Sequence, residues 1–275
     1  MADSAQSLAG PRIRAWLVAM VFAALAPIAA WTVWQTYAEV HALHERASGE
    51  LQRAATDFSL SVNRELSSSL DALTVLSQSE IFQQGRIAAM GRLLHGRPRR
   101  DWDSIFLLDP QGAAVLDTAQ RPGPPEMLRE LHAAAIRRLT PVVSGAGKVP
   151  GIAIAMPIMQ GDHARYVLGV RVSDSVWPRL AANASLPEGG QARLFDAQGH
   201  LISQSGELAT DRIRTGWETV PVSGWRVRIA VPAAPIEAQQ RHLIVHALST
   251  SGAALLAGLV LAALLGRVIT RRLSR

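Results

Sequence analysis

Two segments 87 residues apart, FLLDPQGAAVL (Phe106–Leu116) and RLFDAQGHLIS (Arg193–Ser203), carry one pattern: apolar residues, an Asp, two residues, a Gly, then apolar residues again. Asp109 and Asp196 have side chains that accept backbone hydrogen bonds at the first turn position. Pro110 presets φ at the second in the earlier copy, and Gly112 and Gly199 tolerate the positive φ that closes the turn. Each copy therefore predicts a β-hairpin, and two hairpins of one kind predict two related antiparallel sheets.

The surrounding periodicity fills in the rest. From Leu43 through Ala47, Leu51, Ala55, Phe58, Val62, Leu66, Leu70, Leu73 and Leu76, apolar residues step by three and four, leaving His44, Glu45, Arg53, Asp57, Arg64 and Glu65 mostly on other faces. That predicts one long amphipathic helix, of more than roughly 50 Å at 1.5 Å per residue, with a dimer seam on its remaining face. The period then falls to 2. WDSIFLLDPQGAAVLDTA reads as strand, turn, strand; PPEMLRELHAAAIRRL as a helix opened by Pro124 and Pro125; Ile152, Ile154, Met156 and Ile158, then Tyr166, Leu168, Val170 and Val172, as two more strands. The second, smaller unit adds Trp225, Val227, Ile229 and Val231, alternating with Arg226 and Arg228.

The net charge of +6 invites a nucleic-acid reading until it is located. The first fourteen residues hold +1 and the last ten, with Arg267, Arg271, Arg272 and Arg275, hold +4, which leaves +1 for the whole middle and no basic surface to grip phosphates. Each basic tail abuts an apolar run. Ala15–Trp34 is twenty residues without a formal charge, with Trp16, Trp31, Trp34 and Tyr37 near its ends, and Ser249–Leu265 is charge-free too. Both suit a membrane core of about 30 Å, and arginines on their terminal sides place both termini in the cytoplasm. A cleaved signal peptide ending near APIAAW is the competing reading of the first run, but that run is longer than the usual apolar core and its helical period continues beyond it. With no cysteine, the exported region relies on its core and not on disulfides.

These elements, in order, resemble a known family. IFLLDPQGAAVLDT, then VSG...GIAIAMPI...VLGVRVS, then ARLFDAQGHLISQS and GWRVRIAVPAAPIEA running into the second apolar segment look like the double Cache sensors, whose PAS-like modules form bacterial extracytoplasmic receptors. The resemblance covers residues 15–275 and implies an α+β fold: two PAS-like antiparallel sheets on a long N-terminal helix, flanked by two transmembrane helices. The divisions it implies are a cytoplasmic tail (1–14), a first span (15–36), a helical rod (37–80), a membrane-distal module (81–185), a smaller membrane-proximal module (186–240), a second span (243–266) and the start of an output linker (267–275). GRVITRRLSR is similar to the juncture after the second span of sensor histidine kinases, so the expected function is their ligand-sensing input. A chemoreceptor or diguanylate cyclase input, or a membrane-anchored protein-interaction scaffold without a small ligand, is the alternative.

No catalytic apparatus is expected. The sequence contains no G-x-x-x-x-G-K-[ST], no G-x-G-x-x-G and no H-E-x-x-H, and its Ser, His and Asp residues show no nucleophile elbow; no cofactor is implied. His41 with His44, and His242 with His246, sit at helical spacing beside the two apolar runs, but no Cys or carboxylate completes a ligand set on the second helix, and interfacial histidines are the plainer reading. In the resembled family the ligand lies on the distal sheet, a region that here holds Trp102, Asp117, Lys148, Arg165, Tyr166 and Arg171. Lys148 is the only lysine, and this cationic and aromatic set suits a small, anionic ligand such as a carboxylate. Finally, Thr250, Ala254, Gly258, Ala262 and Gly266 recur every four residues, a stripe of small side chains matched by Ala15, Ala19 and Ala23. Small residues let helices pack closely in lipid, which predicts a bundle of two spans per subunit in a homodimer.

Overall fold

The computed structural model describes residues 9–80, 91, 99–119, 125–146, 151–208, 210 and 212–273, apart from the side chains of scattered positions in the two terminal helices. The chain divides into two compact units, one of Met1–Ala47 with Ala233–Arg275, the other Ser48–Pro232. The elements are α1 (Ala9–Ser77), β1 (Trp102–Leu108), β2 (Ala114–Asp117), α2 (Pro125–Arg138), β3 (Val142–Val143), β4 (Ile152–Gln160), β5 (His163–Val172), α3 (Val176–Ala182), β6 (Gln191–Phe195), β7 (Leu201–Ser205), β8 (Ile213–Thr219), β9 (Arg226–Pro232) and α4 (Ala234–Leu273). The fold is α+β, with a long N-terminal helix and two antiparallel sheets ordered β2-β1-β5-β4-β3 and β7-β6-β9-β8.

Both repeated turns form. Asp109 accepts the backbone N–H groups of Gln111 and Ala113, and its carbonyl accepts that of Gly112, whose φ is 84°. Asp196 repeats this with Gln198, His200 and Gly199, the last at φ 95°. Each Asp thus satisfies the donors its own turn exposes, and each Gly takes the conformation an L side chain resists.

In the larger unit, residues 48–77 of α1 back both sheets. Trp102 Nε1 donates to Ser69 Oγ (3.1 Å) behind the first sheet, where Leu66, Leu73, Ile105, Leu107, Ile154 and Val170 are fully or almost fully buried. Behind the second, Ser59 Oγ donates to the Thr219 carbonyl and Gln52 Nε2 to the Trp217 carbonyl. The helix and sheet come close at Gly216 of β8, where a Cβ would sit 2.6 Å from the Leu51 carbonyl oxygen and 2.8 Å from its carbon. These are backbone atoms and cannot swing away. Gly216→Ala should therefore cost about 1–3 kcal/mol. At Gly49, in the same helix, a Cβ would meet nothing within 4 Å, and replacement by Ala should gain about 0.5–1 kcal/mol. Denaturant melts of the two variants should shift in opposite directions.

In the other unit, the apolar runs of both termini are helical, and Thr32 and Ser251 of α1 and α4 share a hydrogen bond between their hydroxyls (3.1 Å). Among the described residues, however, no helix is long and apolar enough to cross a membrane, so the two expected spans are not found there. Much of the apolar content of each run, including the side chains of Val18, Leu255 and Leu259, lies outside the described residues. The first apolar run and the rod that follows it lie on one continuous helix, α1.

Candidate ligand-binding site

The first sheet has two unlike faces. Register places Ser104, Phe106 and Leu108 of β1 opposite Arg171, Gly169 and Val167 of β5, and these opposite Ala153, Ala155 and Pro157 of β4. This face is covered by α2, whose Met127, Leu128, Leu131 and Ala135 pack with Phe106, Leu108, Ala153, Ala155 and Val167. Phe106 lies so close over Gly169 that a Cβ there would collide with its ring. Towards the Trp102 end of β1 the apolar filling gives way to Ser104 and Arg171.

There the sequence-predicted residues Arg171 and Asp117 meet. Asp117, opposite Phe106 at the end of β2, accepts a hydrogen bond from Arg171 Nη2 (2.6 Å), with the two side chains only 13% and 15% exposed. Its other oxygen accepts the Ala119 N–H. Arg171 Nε and Ser104 Oγ are both buried without a partner. Buried polar groups are ordinarily hydrogen-bonded, so this corner holds unused donors beside a charge pair of both signs. The expected anion preference does not follow from it, because Asp117 already neutralises Arg171.

The other predicted residues lie elsewhere. Trp102 is on the reverse face, 3% exposed, bound to Ser69 and stacked under Arg99. Tyr166 and Arg165 form a cation–π pair (5.4 Å) near the far end of β5. Lys148 is outside the described residues. Ser104 carries no signal of its own in the sequence; only its register opposite Arg171 identifies it. Among the histidines, His41 lies 3.6 Å from Glu45 and the His242 and His246 rings are 6.2 Å apart, and no group of metal-ligating residues is found among the described residues. In the small-residue stripe Thr250 and Ala254 are exposed and Gly258 is half-buried, while the side-chain positions of Ala262 and Gly266 are outside the described set.

The two sheets are joined through the second turn. Asp196, fully buried, accepts the Ala146 N–H (2.9 Å) from the loop after β3 as well as His200 Nδ1 (2.9 Å). Burial alone would raise its carboxyl, but the hydrogen bonds from the His200 ring and from the His200 and Ala146 backbone outweigh it and hold the group below its ordinary value. The helix that links the sheets, α3, packs on β6 and β7, and its Trp177 makes an edge-to-face pair with Trp225 before β9, with centroids 5.2 Å apart.

No family model and no curated protein sequence matches the chain. Solved structures do. The ligand-binding domain of the Pseudomonas fluorescens chemoreceptor CtaA, in complex with L-isoleucine, superposes with a TM-score of 0.58 at 14% identity, covering 73% of this chain and 98% of that one. The ligand-binding domain of Mlp24 with asparagine gives 0.53 at 16% identity over 75% and 99%. The corresponding domain of Campylobacter jejuni chemoreceptor Tlp3, with L-valine, gives 0.54 at 12% identity over 72% and 97%. At these identities the likeness is one of fold: the chain is built like the ligand-binding domains of bacterial chemoreceptors.

Proposed function

We propose that this chain is the extracytoplasmic ligand-sensing input of a membrane signalling receptor, and that its ligand is a small zwitterion such as an amino acid, bound at the Arg171 corner of the first sheet. The observation that carries the reading is the partly buried Arg171–Asp117 pair with Arg171 Nε and Ser104 Oγ unpartnered beside it. A guanidinium recognises a carboxylate, and a carboxylate recognises an ammonium group. The fold supports it, since the similar domains were solved with L-isoleucine, asparagine and L-valine.

Membrane attachment through both terminal helices is part of the proposal. It rests on the two charge-free runs in the sequence and on the exposure of Trp16, Trp31, Trp34, Leu256, Val260 and Leu261, apolar surface that suits lipid better than water. Exposed Thr250 and Ala254 leave part of the small-residue stripe open to a second copy, which supports a homodimer. A chemoreceptor output fits as well as a histidine kinase.

Calorimetric titration of the full chain with the twenty amino acids tests the site. At least one should bind; Arg171→Gln and Asp117→Asn should each weaken it by at least tenfold, and Arg165→Gln should leave it within twofold. Binding indifferent to Arg171→Gln, or no binding by any of the twenty, would remove the proposal.

A further inference from the structure

The second sheet also has an outward face, opposite the one that α1 backs. Register puts Gln191, Arg193 and Phe195 of β6 beside Ala230, Arg228 and Arg226 of β9, and these beside Thr215, Trp217 and Thr219 of β8. The intervening residues Ala192, Leu194, Val227 and Ile229 are fully buried on the other side. A sheet face turned from the core is ordinarily a mixture of small polar and oppositely charged residues. This one gathers three arginines and two aromatic rings.

The rings of Phe195 and Trp217 stack at 5.8 Å. The Arg228 guanidinium lies over both, 5.7 Å from Phe195 and 5.5 Å from Trp217, and Arg226 lies 6.0 Å from Trp217. Arg193 stands directly opposite Arg228, where like charges repel. No ion pair involves Arg193, Arg226 or Arg228 among the described residues, and Arg193 Nε, Arg228 Nε and Gln191 Oε1 are buried without hydrogen-bond partners. Burial, and then the nearby Arg193, lower the Arg228 pKa, as expected of a cation without a counter-charge. The four strands contain one carboxylate, Glu218, and its Oε2 accepts hydrogen bonds from Gln52 and Thr56 of α1 on the opposite face.

We infer that this face is a second binding site, distinct from the Arg171 corner, for a small planar carboxylate such as an aromatic acid: Arg193 and Arg228 clamp the carboxylate while Trp217 and Phe195 carry the ring. Two strands about 4.8 Å apart bring two guanidinium forks within reach of one carboxylate, and the fork matches its two oxygens. Trp217, 44% exposed, leaves part of its ring accessible beside the arginines for the ligand's ring to pack against. The charge supplied by the ligand also relieves the Arg193–Arg228 repulsion.

Benzoate and indole-3-carboxylate are the probes, with benzamide and sulfate as controls, titrated calorimetrically into the full chain. Benzoate or indole-3-carboxylate should bind and benzamide should not. Arg228→Gln and Arg193→Gln should each weaken the carboxylate at least tenfold, Arg228→Lys should give an intermediate loss, and Trp217→Ala should weaken the aromatic acids more than sulfate. Circular dichroism checks that the variants fold; should Arg228→Gln unfold, Arg193→Gln decides. Arg171→Gln should leave benzoate binding within twofold, and Arg228→Gln should leave amino-acid binding intact, so this site and the first stand or fall separately. Failure of both aromatic acids to bind overturns the inference, as does binding unchanged in the Arg193 and Arg228 variants. So does sulfate binding as tightly as either acid, or sedimentation showing that Arg228→Gln only dissociates a dimer.

Discussion

Asp196→Ala should destabilise the protein by about 3–5 kcal/mol, far more than the same change at Asp109. A buried carboxylate that satisfies several donors leaves each of them unpaired when it is removed. Here the donors are the Ala146, Gln198 and His200 N–H groups and the His200 ring. Asp109 serves only the donors of its own turn and is part-exposed. The sign of the pH dependence follows from the depressed carboxyl. A group whose folded pKa lies below its unfolded value contributes stability that is present above the unfolded value and lost as pH falls through the folded one. The stability of wild type should therefore fall below the ordinary carboxylate range, and Asp196→Ala should flatten that part of the curve. Urea melts between neutral pH and strong acid measure both; parallel curves for wild type and variant would show that Asp196 is not held as described.

The two Asp residues show how far the sequence could be read. Their turns were legible because an Asx turn is local chemistry: an Asp, two residues and a Gly determine it whatever lies around them. What separates Asp196 from Asp109 is the Ala146 N–H, fifty residues away in sequence, and no local pattern carries that. The strands were legible for the same reason. Alternation shows that a strand has two faces, but it does not say which one a helix will cover, so Trp102 was expected near a ligand and is found against Ser69 in the core. A register shift between Trp102 and Ser104 further separates it from the face its spacing suggests. Arg171 and Asp117 belong to strands that are not neighbours, with β1 between them, so their pairing depends on strand order and not on spacing. The arginines of β9 were visible as an alternation. Among the described residues no ion pair answers them, and Glu218, the one carboxylate of the four strands, lies on the reverse face bound to α1, a placement that alternation alone does not give.

The other large effect is expected at the tryptophan pair between α3, which follows β5, and the start of β9. Trp177 follows the last strand of the first sheet and Trp225 precedes the last strand of the second, and both are almost completely buried. Removing a buried Trp side chain leaves a cavity the surroundings only partly fill, so Trp225→Ala should cost about 3–5 kcal/mol and Trp177→Ala a similar amount. The edge-to-face contact adds a pairwise part of about 0.5–1.5 kcal/mol that a double-mutant cycle isolates. Because α3 packs on β6 and β7 while following directly from β5, a shift at the Arg171 corner near the end of β5 has a short route to the second sheet through this pair. Trp225→Phe, which keeps an aromatic edge in a smaller volume, should therefore preserve the proposed amino-acid binding at Arg171 and still reduce stability. Hydrogen exchange on the variants provides the decisive reading: ligand should protect β6 and β9 in wild type, and Trp177→Ala should reduce that protection while leaving protection of β5 in place. Equal protection of the second sheet in both proteins, with a coupling energy near zero in the cycle, would mean the pair is packing alone and the two sheets respond independently.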